Sequence, residues 1–318
     1  MRKLLIVLPF ATLAAAPGCY NNSGNTTSTC AALTPSAATP PKDWGGTVFT
    51  IVMENKSASQ IFGSPDAPFI NQLANQNAIA KGYHDSYVHP SEANYLWMVS
   101  GENFGILNDN DPGPDNHIAS KSHVADQLEM AGLSWKAYQE SMGDPCSVAS
   151  HGQYAAKHNP FVFFDDLNGW DGAKLNPTQR CKDHVVDYSQ LAADVSANAL
   201  PKYVFITPNL QDDMHDGSIA QGDQWLAREV PQILASDAFN KGGVLFLMWD
   251  EGGGTFAGDD PPMIVISPNA KSGYVSQANY DESSYLKTVE AILGMAALPC
   301  SSKADAVQTM DDLFRVPL

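Results

Sequence analysis

The sequence predicts an α/β protein with a central, mostly parallel sheet and helices on both of its faces. Short apolar runs alternate along the chain with amphipathic segments of helical period, which is the pattern of strands and covering helices in such a fold. Clusters rich in carboxylates and amides follow three of the apolar runs, as expected where parallel strands end at a common crevice. With 318 residues, 44% of them hydrophobic, the chain is long enough to bury one large core.

Continuous apolar runs mark the strands that are predicted most clearly. Runs of this kind are typical of strands that are buried on both faces of a sheet. The predicted strands are Thr47–Met53, Tyr203–Thr207, Val244–Trp249 and Met263–Ile266.

Helix signals lie between these runs. Asp66–Pro68 predicts the start of one helix, since proline favours the first helical position. Ser122 is predicted to cap a second helix, whose core-facing residues are Val124, Leu128 and Met130.

Two further helices and an irregular segment complete the prediction. One helix is expected from Gly222–Asp223 to Leu234, and another from about Ser283 to Leu293. The latter ends at Gly294, because glycine readily adopts the positive φ of a helix end. The segment 142–177 is rich in proline, asparagine, glycine and aromatic residues, which indicates an insertion that could form a lid or a substrate wall.

The amino terminus has the pattern of an export signal. Arg2 and Lys3 precede an apolar stretch and small residues, so residues 1–18 are expected to be a signal peptide. Cys19 could carry a lipid anchor, although Pro17 departs from the usual lipoprotein pattern. Residues 19–43 have the composition of a solvated tether, and the folded domain is expected to span residues 44–318. The protein is therefore expected to be exported, as a periplasmic, outer-surface or extracellular protein.

Five cysteines are consistent with an oxidising compartment. If Cys19 is lipidated, four remain, and sequence alone permits three connectivities. Pairing of Cys146 with Cys181 is preferred because both flank the same insertion. That choice leaves Cys30 and Cys300 to join the two ends of the chain. None of the five has the spacing of a zinc–thiolate site.

The formal net charge of −17 limits the classes of partner. Nucleic acids and anionic membrane surfaces would be repelled by such a chain. A cationic or metal-bridged ligand suits this charge better, and no obligate protein partner is evident.

Oxygen-bearing side chains at two strand ends indicate a metal site. Glu54 and Asn55 end the first predicted strand, and Asp250 and Glu251 end the third in chain order. Such oxygens are the ligands that hard divalent cations prefer. The alternative for the first pair is a polar turn in which Asn55 caps the next helix.

Three more segments carry candidate chemistry. Ser91 lies at a predicted helix start, where the helix dipole stabilises negative charge, although it could simply be a helix N-cap. His215, in the acidic segment 212–218, could bind metal or transfer a proton, unless the segment is a solvated loop. Lys157 and His158 could place positive charge near a phosphoryl oxygen, or could belong to an ordinary surface turn.

Together, five ordered motifs resemble the bacterial phosphoesterase family that includes phospholipase C-like enzymes and metal-dependent acid phosphatases. The resemblance extends from about Thr47 to Phe314. That family is similar to a branch of the alkaline phosphatase superfamily. This similarity implies a hydroxyl nucleophile at a helix start and a divalent metal held by strand-end carboxylates. The motifs are Met53–Ser57, His89–Ser91 with Asn94 and Tyr95, Lys157–Phe161, Ile206–Leu210 running into Asp212–Ser218, and Trp249–Gly252.

The resemblance implies a role for each matching residue. It implies that Ser91 attacks phosphorus and helps to hold one divalent ion, which could be Mg²⁺, Mn²⁺, Ca²⁺ or Zn²⁺. The implied metal ligands are Glu54, Asn55, Ser91, Asp250 and Glu251. The candidate acids or phosphoryl-stabilising residues are His89, His158 and His215, and the implied substrate-binding residues are Asn94, Lys157, Asn209 and Asp213. In that case the Ser91 hydroxyl lies within about 8 Å of the carboxylates.

Two departures from the family pattern bear on the mechanism. Ala93 replaces a proline expected after the nucleophile. Asp281–Ser283 stands where many relatives have a histidine, so a single metal is preferred over two.

The expected function is hydrolysis of small-molecule or lipid phosphate esters by a metal-activated serine, as in acid phosphatases. The alternatives are a phospholipase C-type phosphodiesterase and a non-catalytic, metal-binding surface lipoprotein. A sulfatase is disfavoured because no arginine follows Ser91 in the Cys/Ser-x-Pro-x-Arg pattern.

Overall fold

One eight-stranded mixed sheet forms the centre of the part of the chain that the computed structural model describes, residues 36–86, 88–119, 122–253, 260–298 and 307–318. The strand order is β4-β3-β5-β1-β6-β7-β2-β8. The strands are β1 Val48–Met53, β2 Ala78–Tyr83, β3 Trp135–Gln139, β4 Val185–Asp187, β5 Tyr203–Thr207, β6 Val244–Trp249, β7 Met263–Ile266 and β8 Val275–Tyr280.

Most neighbouring strands are parallel, as predicted. From β4 to β6 every pairing is parallel, whereas β7 runs antiparallel to both of its neighbours, β6 and β2. The edge strand β8 pairs in parallel with β2. The predicted fold class is therefore confirmed, with one antiparallel strand inside the sheet.

Helices cover both faces of the sheet. The α-helices are α1 Ala58–Ile61, α2 Pro68–Gln76, α3 Ser91–Ser100, α4 Val124–Met130, α5 Asp165–Asn168, α6 Gln179–His184, α7 Leu191–Ser196, α8 Ile219–Leu234, α9 Asp237–Asn240 and α10 Glu282–Leu293. Short 3₁₀ turns occupy Ala156–His158, Pro160–Phe163, Tyr188–Gln190 and Asp311–Leu313.

The central strand β1 divides the core into two layers. Val48 and Val52 point to the layer that contains the apolar residues of α3, α4 and α10. Phe49 and Ile51 point to the opposite layer, which contains the apolar residues of α2 and α8. This alternation follows from the two-residue period of a strand, and all six residues of β1 are buried.

The strands that were predicted from continuous apolar runs lie where they were predicted. β5, β6 and β7 have the predicted bounds, and β1 begins one residue later than predicted. The sequence did not reveal β2, β3, β4 and β8. β8 alternates between exposed and buried residues at the sheet edge, so it lacks a continuous apolar run.

Helix starts are less well predicted. His123, not Ser122, is the N-cap of α4, and Met130 is 38% exposed instead of facing the core, although Val124 and Leu128 are buried. Ser218 caps α8 through the backbone N–H of Gln221, so this helix begins before the predicted Gly222–Asp223.

Asp223 lies inside α8 for a different reason. Its carboxylate accepts hydrogen bonds from the backbone N–H groups of Phe69 (3.2 Å) and Ile70 (2.8 Å) in the first turn of α2. The side chain therefore satisfies the open N–H groups of another helix. By contrast, the end of α10 at Gly294, with φ of 64°, is as predicted.

A disulfide bond joins Cys146 to Cys181, with their Cα atoms 5.6 Å apart, so the preferred pairing is confirmed. It links the insertion 142–177 to α6. The proposed Cys30–Cys300 pair, the signal peptide and Cys19 lie outside the described residues. Within those residues, none of the helices combines the length and apolar character needed to cross a membrane.

Replacing both cysteines of this disulfide with alanine is expected to lower the free energy of unfolding. The bond closes a loop with a sequence separation of 35 residues, for which the loss of cross-linking costs about 2–4 kcal/mol. In denaturant unfolding, the double variant and reduced wild type should have similar midpoints, both lower than that of wild type with the disulfide intact. Midpoints equal to that of the intact protein would show that this link does not restrain the insertion.

Candidate active site

Strand order explains why the predicted metal-binding residues meet. β1 and β6 are adjacent and parallel, with Met53 opposite Trp249, so the residues that follow each strand emerge side by side. The loop after β5 joins them, since the backbone N–H of Glu54 donates to the carbonyl oxygen of Asp213 at 2.8 Å. Glu54, Asp213 and Asp250 are all fully buried.

Lys56 holds the two turns beside this cluster. Asn55 and Met214 have positive φ angles of 41° and 83°, a conformation that costs a non-glycine residue free energy. The Lys56 ammonium donates to the carbonyl oxygens of both, at 3.2 Å and 2.8 Å. A strained backbone that is fixed in this way is typical of a functional site.

Ser91 is the first residue of α3 and is buried. Its Oγ donates to Glu54 Oε2 at 3.2 Å. Pro90, which follows a cis peptide bond, occupies the N-cap position. The hydroxyl group is therefore not used as a helix cap, and it lies in contact with the carboxylate cluster.

The Asn55 side chain lies at the centre of three carboxylates. One end of its amide is 3.1 Å from Glu54 Oε2, 3.2 Å from Asp250 Oδ1 and 3.3 Å from Glu251 Oε1. With the NH₂ group at this end, the amide donates hydrogen bonds to the carboxylates. With the oxygen at this end, four oxygens converge and require a cation between them. Asn55 does not cap the next helix, because the N-cap of α1 is Ser57.

These distances fit a hard divalent cation. An octahedral ion places neighbouring oxygen ligands about 2.9 Å apart for Mg²⁺ and about 3.4 Å apart for Ca²⁺. The observed separations of 3.1–3.3 Å fall between these values. The donor set of Glu54, Asn55, Asp250 and Glu251 therefore suits such an ion.

Charge in the cluster calls for a counter-ion. Burial raises the pKa of Glu54 well above its usual range, and the nearby Asp250 and Asp213 raise it further. Burial, followed by Glu251, likewise raises the pKa of Asp250. Among the described residues, Glu54 Oε1 and Asp213 Oδ2 have no hydrogen-bond partner. Carboxylates buried in this way ionise only when a cation compensates them.

A nitrogen-rich group shares Glu54. Glu54, His158 and His215 offer ligand atoms that all lie within 4.8 Å of one another. The structure thus presents Glu54 to two donor sets, one of oxygens around Asn55 and one that contains two imidazoles.

His158 is buried between two carboxylates. Its Nε2 is 3.3 Å from Glu54 Oε1, and its Nδ1 is 3.3 Å from Asp213 Oδ2. The ring stacks on Tyr95 with centroids 5.2 Å apart. Burial, together with Lys157 and His215, lowers the pKa of His158 well below its usual range. This imidazole therefore lies in contact with both carboxylates.

Lys157 and His215 form a polar pair next to His158. The Lys157 ammonium lies 3.2 Å from His215 Nε2 and 2.9 Å from Asp109 Oδ2. Because an ammonium only donates, His215 Nε2 accepts, and its Nδ1–H faces Asp216 Oδ1 at 2.7 Å. The side chain of Lys157 is 17% exposed, so the pair borders the accessible side of the cluster.

Glu251 fixes two other predicted residues. Its Oε2 accepts from Asn94 Nδ2 at 3.0 Å and lies 2.5 Å from Nδ1 of His89, whose side chain is 41% exposed. Burial raises the pKa of Glu251 to about 7, and Asp85 and Asp109 contribute to the increase.

Asn209 is not brought into the cluster. Its Oδ1 accepts from the backbone N–H groups of Gln211 and Asp212, and its Nδ2 donates to Ser141. Where relatives would have a histidine, Asp281 caps α10 and Glu282 is buried against Ser86.

A family-level comparison decides the classification. A model of the Phosphoesterase family matches residues 47–296. The chain belongs to the Phosphoesterase family. The match spans the strand-end carboxylates, Ser91 and the Lys157–His158 segment, and it confirms the resemblance found in the sequence.

Characterised relatives of this phosphoesterase include phosphatases and phospholipases. It is 32% identical over 253 residues to phosphatidylinositol-3-phosphatase from Mycobacterium tuberculosis, covering 78% of this chain and 77% of the relative. It is 29% identical over 189 residues to a phosphate-repressible acid phosphatase from Penicillium chrysogenum, covering 58% and 43%. A non-hemolytic phospholipase C from Burkholderia pseudomallei is 26% identical over 282 residues, covering 71% and 40%.

These matches confirm the predicted class, a hydrolase of phosphoric ester bonds. The chain spans about three quarters of the mycobacterial relative but less than half of the other two.

Solved structures show the same fold. An alkaline phosphatase superfamily protein from Vibrio parahaemolyticus aligns with a TM-score of 0.57 and 9% identity, covering 84% of this chain and 72% of that one. Human ectonucleotide pyrophosphatase/phosphodiesterase 5 aligns with a TM-score of 0.58 and 10% identity, covering 85% and 100%.

Sequence reasoning missed two acidic residues beside Ser91. Glu92 is buried and accepts from Asn116 Nδ2 at 3.0 Å, and its backbone N–H donates to Asp109. Burial raises the pKa of Glu92 to about 9, against the opposing effect of the Asn116 hydrogen bond. Asp109 belongs to a loop with several aspartates, and no local signal distinguishes it from the others.

Replacing Glu92 with glutamine is expected to stabilise this phosphoesterase at pH 8 but not at pH 4. A carboxyl group with a raised folded-state pKa contributes stability that is present below about pH 4.5 and is lost as pH rises toward 9. The gain at pH 8 should be roughly 2–4 kcal/mol. Melting temperatures of wild type, Glu92→Gln and a Glu102→Gln control would be compared at both pH values. An equal shift at pH 4 and pH 8 would contradict the assignment.

Proposed function

We propose that this chain is an exported, metal-dependent phosphoesterase of the acid phosphatase type, which hydrolyses phosphate esters through Ser91. The observation that carries the proposal is the contact of Ser91 Oγ with Glu54 at 3.2 Å, beside the Asn55 amide and its three carboxylates. A serine at a helix start next to such a cluster places a nucleophile beside the ligands of a cation that would lower its pKa.

The residues proposed to hold one divalent cation are Glu54, Asn55, Ser91, Asp250 and Glu251. When bound, the ion lowers the pKa of the serine hydroxyl and neutralises charge on a phosphoryl oxygen. Oxygen-rich ligation favours Mg²⁺, Mn²⁺ or Ca²⁺, whereas the nearby imidazoles would favour Zn²⁺.

Ser91 forms the new bond to phosphorus. Its hydroxyl proton passes to Glu54 Oε2, which it already contacts, as the bond between phosphorus and the leaving oxygen breaks, and Glu54 returns this proton to the Ser91 oxygen when the phosphoserine is cleaved. The dipole of α3 stabilises the charge that develops at the phosphoryl group. Water then hydrolyses the resulting phosphoserine.

Positive and hydrogen-bonding groups on the accessible side would bind the phosphoryl oxygens. Lys157 supplies a full positive charge there, and His215 orients its ammonium. Asn94 is buried and donates to Glu251 Oε2 at 3.0 Å, and its second Nδ2 hydrogen would be offered to a phosphoryl oxygen. Asp213 accepts a hydrogen bond from the backbone N–H of His215 at 2.7 Å and lies next to His158. We propose that it supports these two residues and does not contact the substrate.

Among the three predicted histidines, His89 is best placed to protonate the leaving alcohol. It is the most exposed of the three, and Glu251 orients its ring through Nδ1. His158 is enclosed between Glu54 and Asp213, and we propose that it positions Glu54. After the alcohol leaves, the neutral His89 can accept a proton from the attacking water.

Small, soluble phosphate monoesters are the proposed substrates. The net charge of −17 opposes approach to an anionic membrane. The acid phosphatase relative supports this choice. The phospholipase C relative supports the alternative of phosphodiester hydrolysis.

Export is proposed from the amino-terminal pattern, with residues 1–18 as a signal peptide, residues 19–43 as a tether and residues 44–318 as the catalytic domain. The Cys146–Cys181 disulfide supports an oxidising location. Lipidation of Cys19 would anchor the domain at a membrane surface.

Hydrolysis of a substrate panel tests the proposed function. The panel contains p-nitrophenyl phosphate, bis-p-nitrophenyl phosphate and phosphatidylcholine, each with and without a chelator. We expect the monoester to be hydrolysed fastest, chelation to abolish turnover, and Ser91→Ala to lower kcat by roughly 10³-fold or more. Ser59→Ala, at an exposed serine close to the Glu54 strand end, is the control.

Each other result has a distinct meaning. Faster hydrolysis of the diester or the lipid would favour the phospholipase C-type alternative. Intact substrates under all conditions would favour a non-catalytic metal-binding protein. Equal rates for wild type and Ser91→Ala would refute the nucleophile.

Dependence on the leaving group tests the role of His89. Replacing His89 with asparagine should lower kcat for an alkyl phosphate by roughly 10²–10⁴-fold. It should affect p-nitrophenyl phosphate much less, because nitrophenolate leaves without a proton. His151→Asn, at an exposed histidine, serves as the control. An equal loss on both substrates would show that His89 does not protonate the leaving group.

A further inference from the structure

Asp109 connects two parts of the candidate active site that the backbone does not connect. Its Oδ1 accepts from the backbone N–H of Glu92 at 3.1 Å, in the first turn of α3. Its Oδ2 accepts from the Lys157 ammonium at 2.9 Å. One carboxylate therefore contacts both the helix that begins with Ser91 and the Lys157 ammonium, which is proposed to bind the phosphoryl group.

Lys157 needs such a partner to keep a defined position. It lies in the 3₁₀ turn Ala156–His158, within the insertion, and its side chain has four rotatable bonds. An unrestrained lysine loses much conformational freedom when it binds a ligand. Asp109 and His215, which contact the ammonium at 2.9 Å and 3.2 Å, place it before substrate arrives.

The same loop provides an internal comparison. Asp111, two residues away, accepts from the backbone N–H of Ser150 at 2.9 Å and from its hydroxyl at 2.5 Å. Asp111 thus also joins the loop to the insertion, but through Ser150 and not through Lys157. Removal of its charge should loosen the same loop without releasing the ammonium.

We propose that Asp109 is a positioning residue that fixes the Lys157 ammonium relative to Ser91 for phosphoryl transfer. This inference rests on the proposed function. A charge that is held in place gains its effect in the transition state, since misplacement by about 1 Å can cost on the order of 100-fold in rate. The hydrogen bonds of Asp109 go to the Glu92 N–H and the Lys157 ammonium, so its effect is exerted through Lys157 and the start of α3.

The test compares Asp109→Asn, Asp109→Glu and Asp111→Asn with wild type. For each protein, kcat on p-nitrophenyl phosphate, the melting temperature, and the affinities for inorganic phosphate and for orthovanadate, which mimics the transition state, would be measured. We expect Asp109→Asn to lower kcat at least about 30-fold and to weaken vanadate binding at least about tenfold. Phosphate binding should change less than vanadate binding, because removal of a negative charge near the anion offsets the freedom that Lys157 gains.

The controls separate positioning from general damage. Asp109→Glu should recover part of the lost kcat, and Asp111→Asn should stay within about threefold of wild type. The proposal would be overturned if Asp109→Asn kept its kcat and vanadate affinity, if Asp111→Asn lost as much, or if Asp109→Glu were no better than the asparagine variant.

A failure of the proposed function would have a different signature. If wild type hydrolyses phosphate esters while Asp109→Asn behaves like Asp111→Asn, only the positioning role fails. If wild type hydrolyses nothing but loses vanadate affinity on Asp109→Asn, Asp109 still places Lys157 for anion binding, but its role in phosphoryl transfer fails together with the proposed function. If wild type binds neither anion, both fail.

Discussion

Carboxylates buried side by side at one edge of the sheet impose the main physical constraint on this protein. Glu54, Asp213 and Asp250 are fully buried, and in each case burial and the neighbouring carboxylates raise the pKa. An apolar core could fill this space at lower cost. The arrangement is understandable if a cation compensates the charge, and the Asn55 amide, at 3.1–3.3 Å from three carboxylate oxygens, marks the point on which the oxygens converge.

Glu54 belongs to both halves of the site. On one side it meets Ser91 and the oxygen donors around Asn55. On the other side it faces His158, which is followed by Lys157 and His215. The first half suits activation of a nucleophile, and the second suits binding of an anion. Since the halves come from different segments, their relative position depends on contacts such as the hydrogen bonds of Asp109 to the start of α3 and to Lys157.

Local sequence signals account for much of the fold and for several residues of the candidate site. β5, β6 and β7 were predicted because their apolar runs are continuous, whereas β2 contains Lys81 and Gly82 and β3 contains Lys136. Glu54, Asn55, Asp250 and Glu251 could be predicted because they directly follow buried strands. Asp109 could not, since its importance comes from tertiary contacts. The start of α8 was a different kind of error, because the capping box of Ser218 and Gln221 is present in the sequence.

Anomalous diffraction at the manganese edge, from crystals grown with Mn²⁺, would show whether a cation occupies the carboxylate cluster beside Ser91. We expect one strong peak within about 2.0–2.6 Å of oxygens from at least three of Glu54, Asn55, Ser91, Asp250 and Glu251. A peak bound instead by His158 and His215, or an absence of any peak beside Ser91 at saturating Mn²⁺, would contradict this expectation.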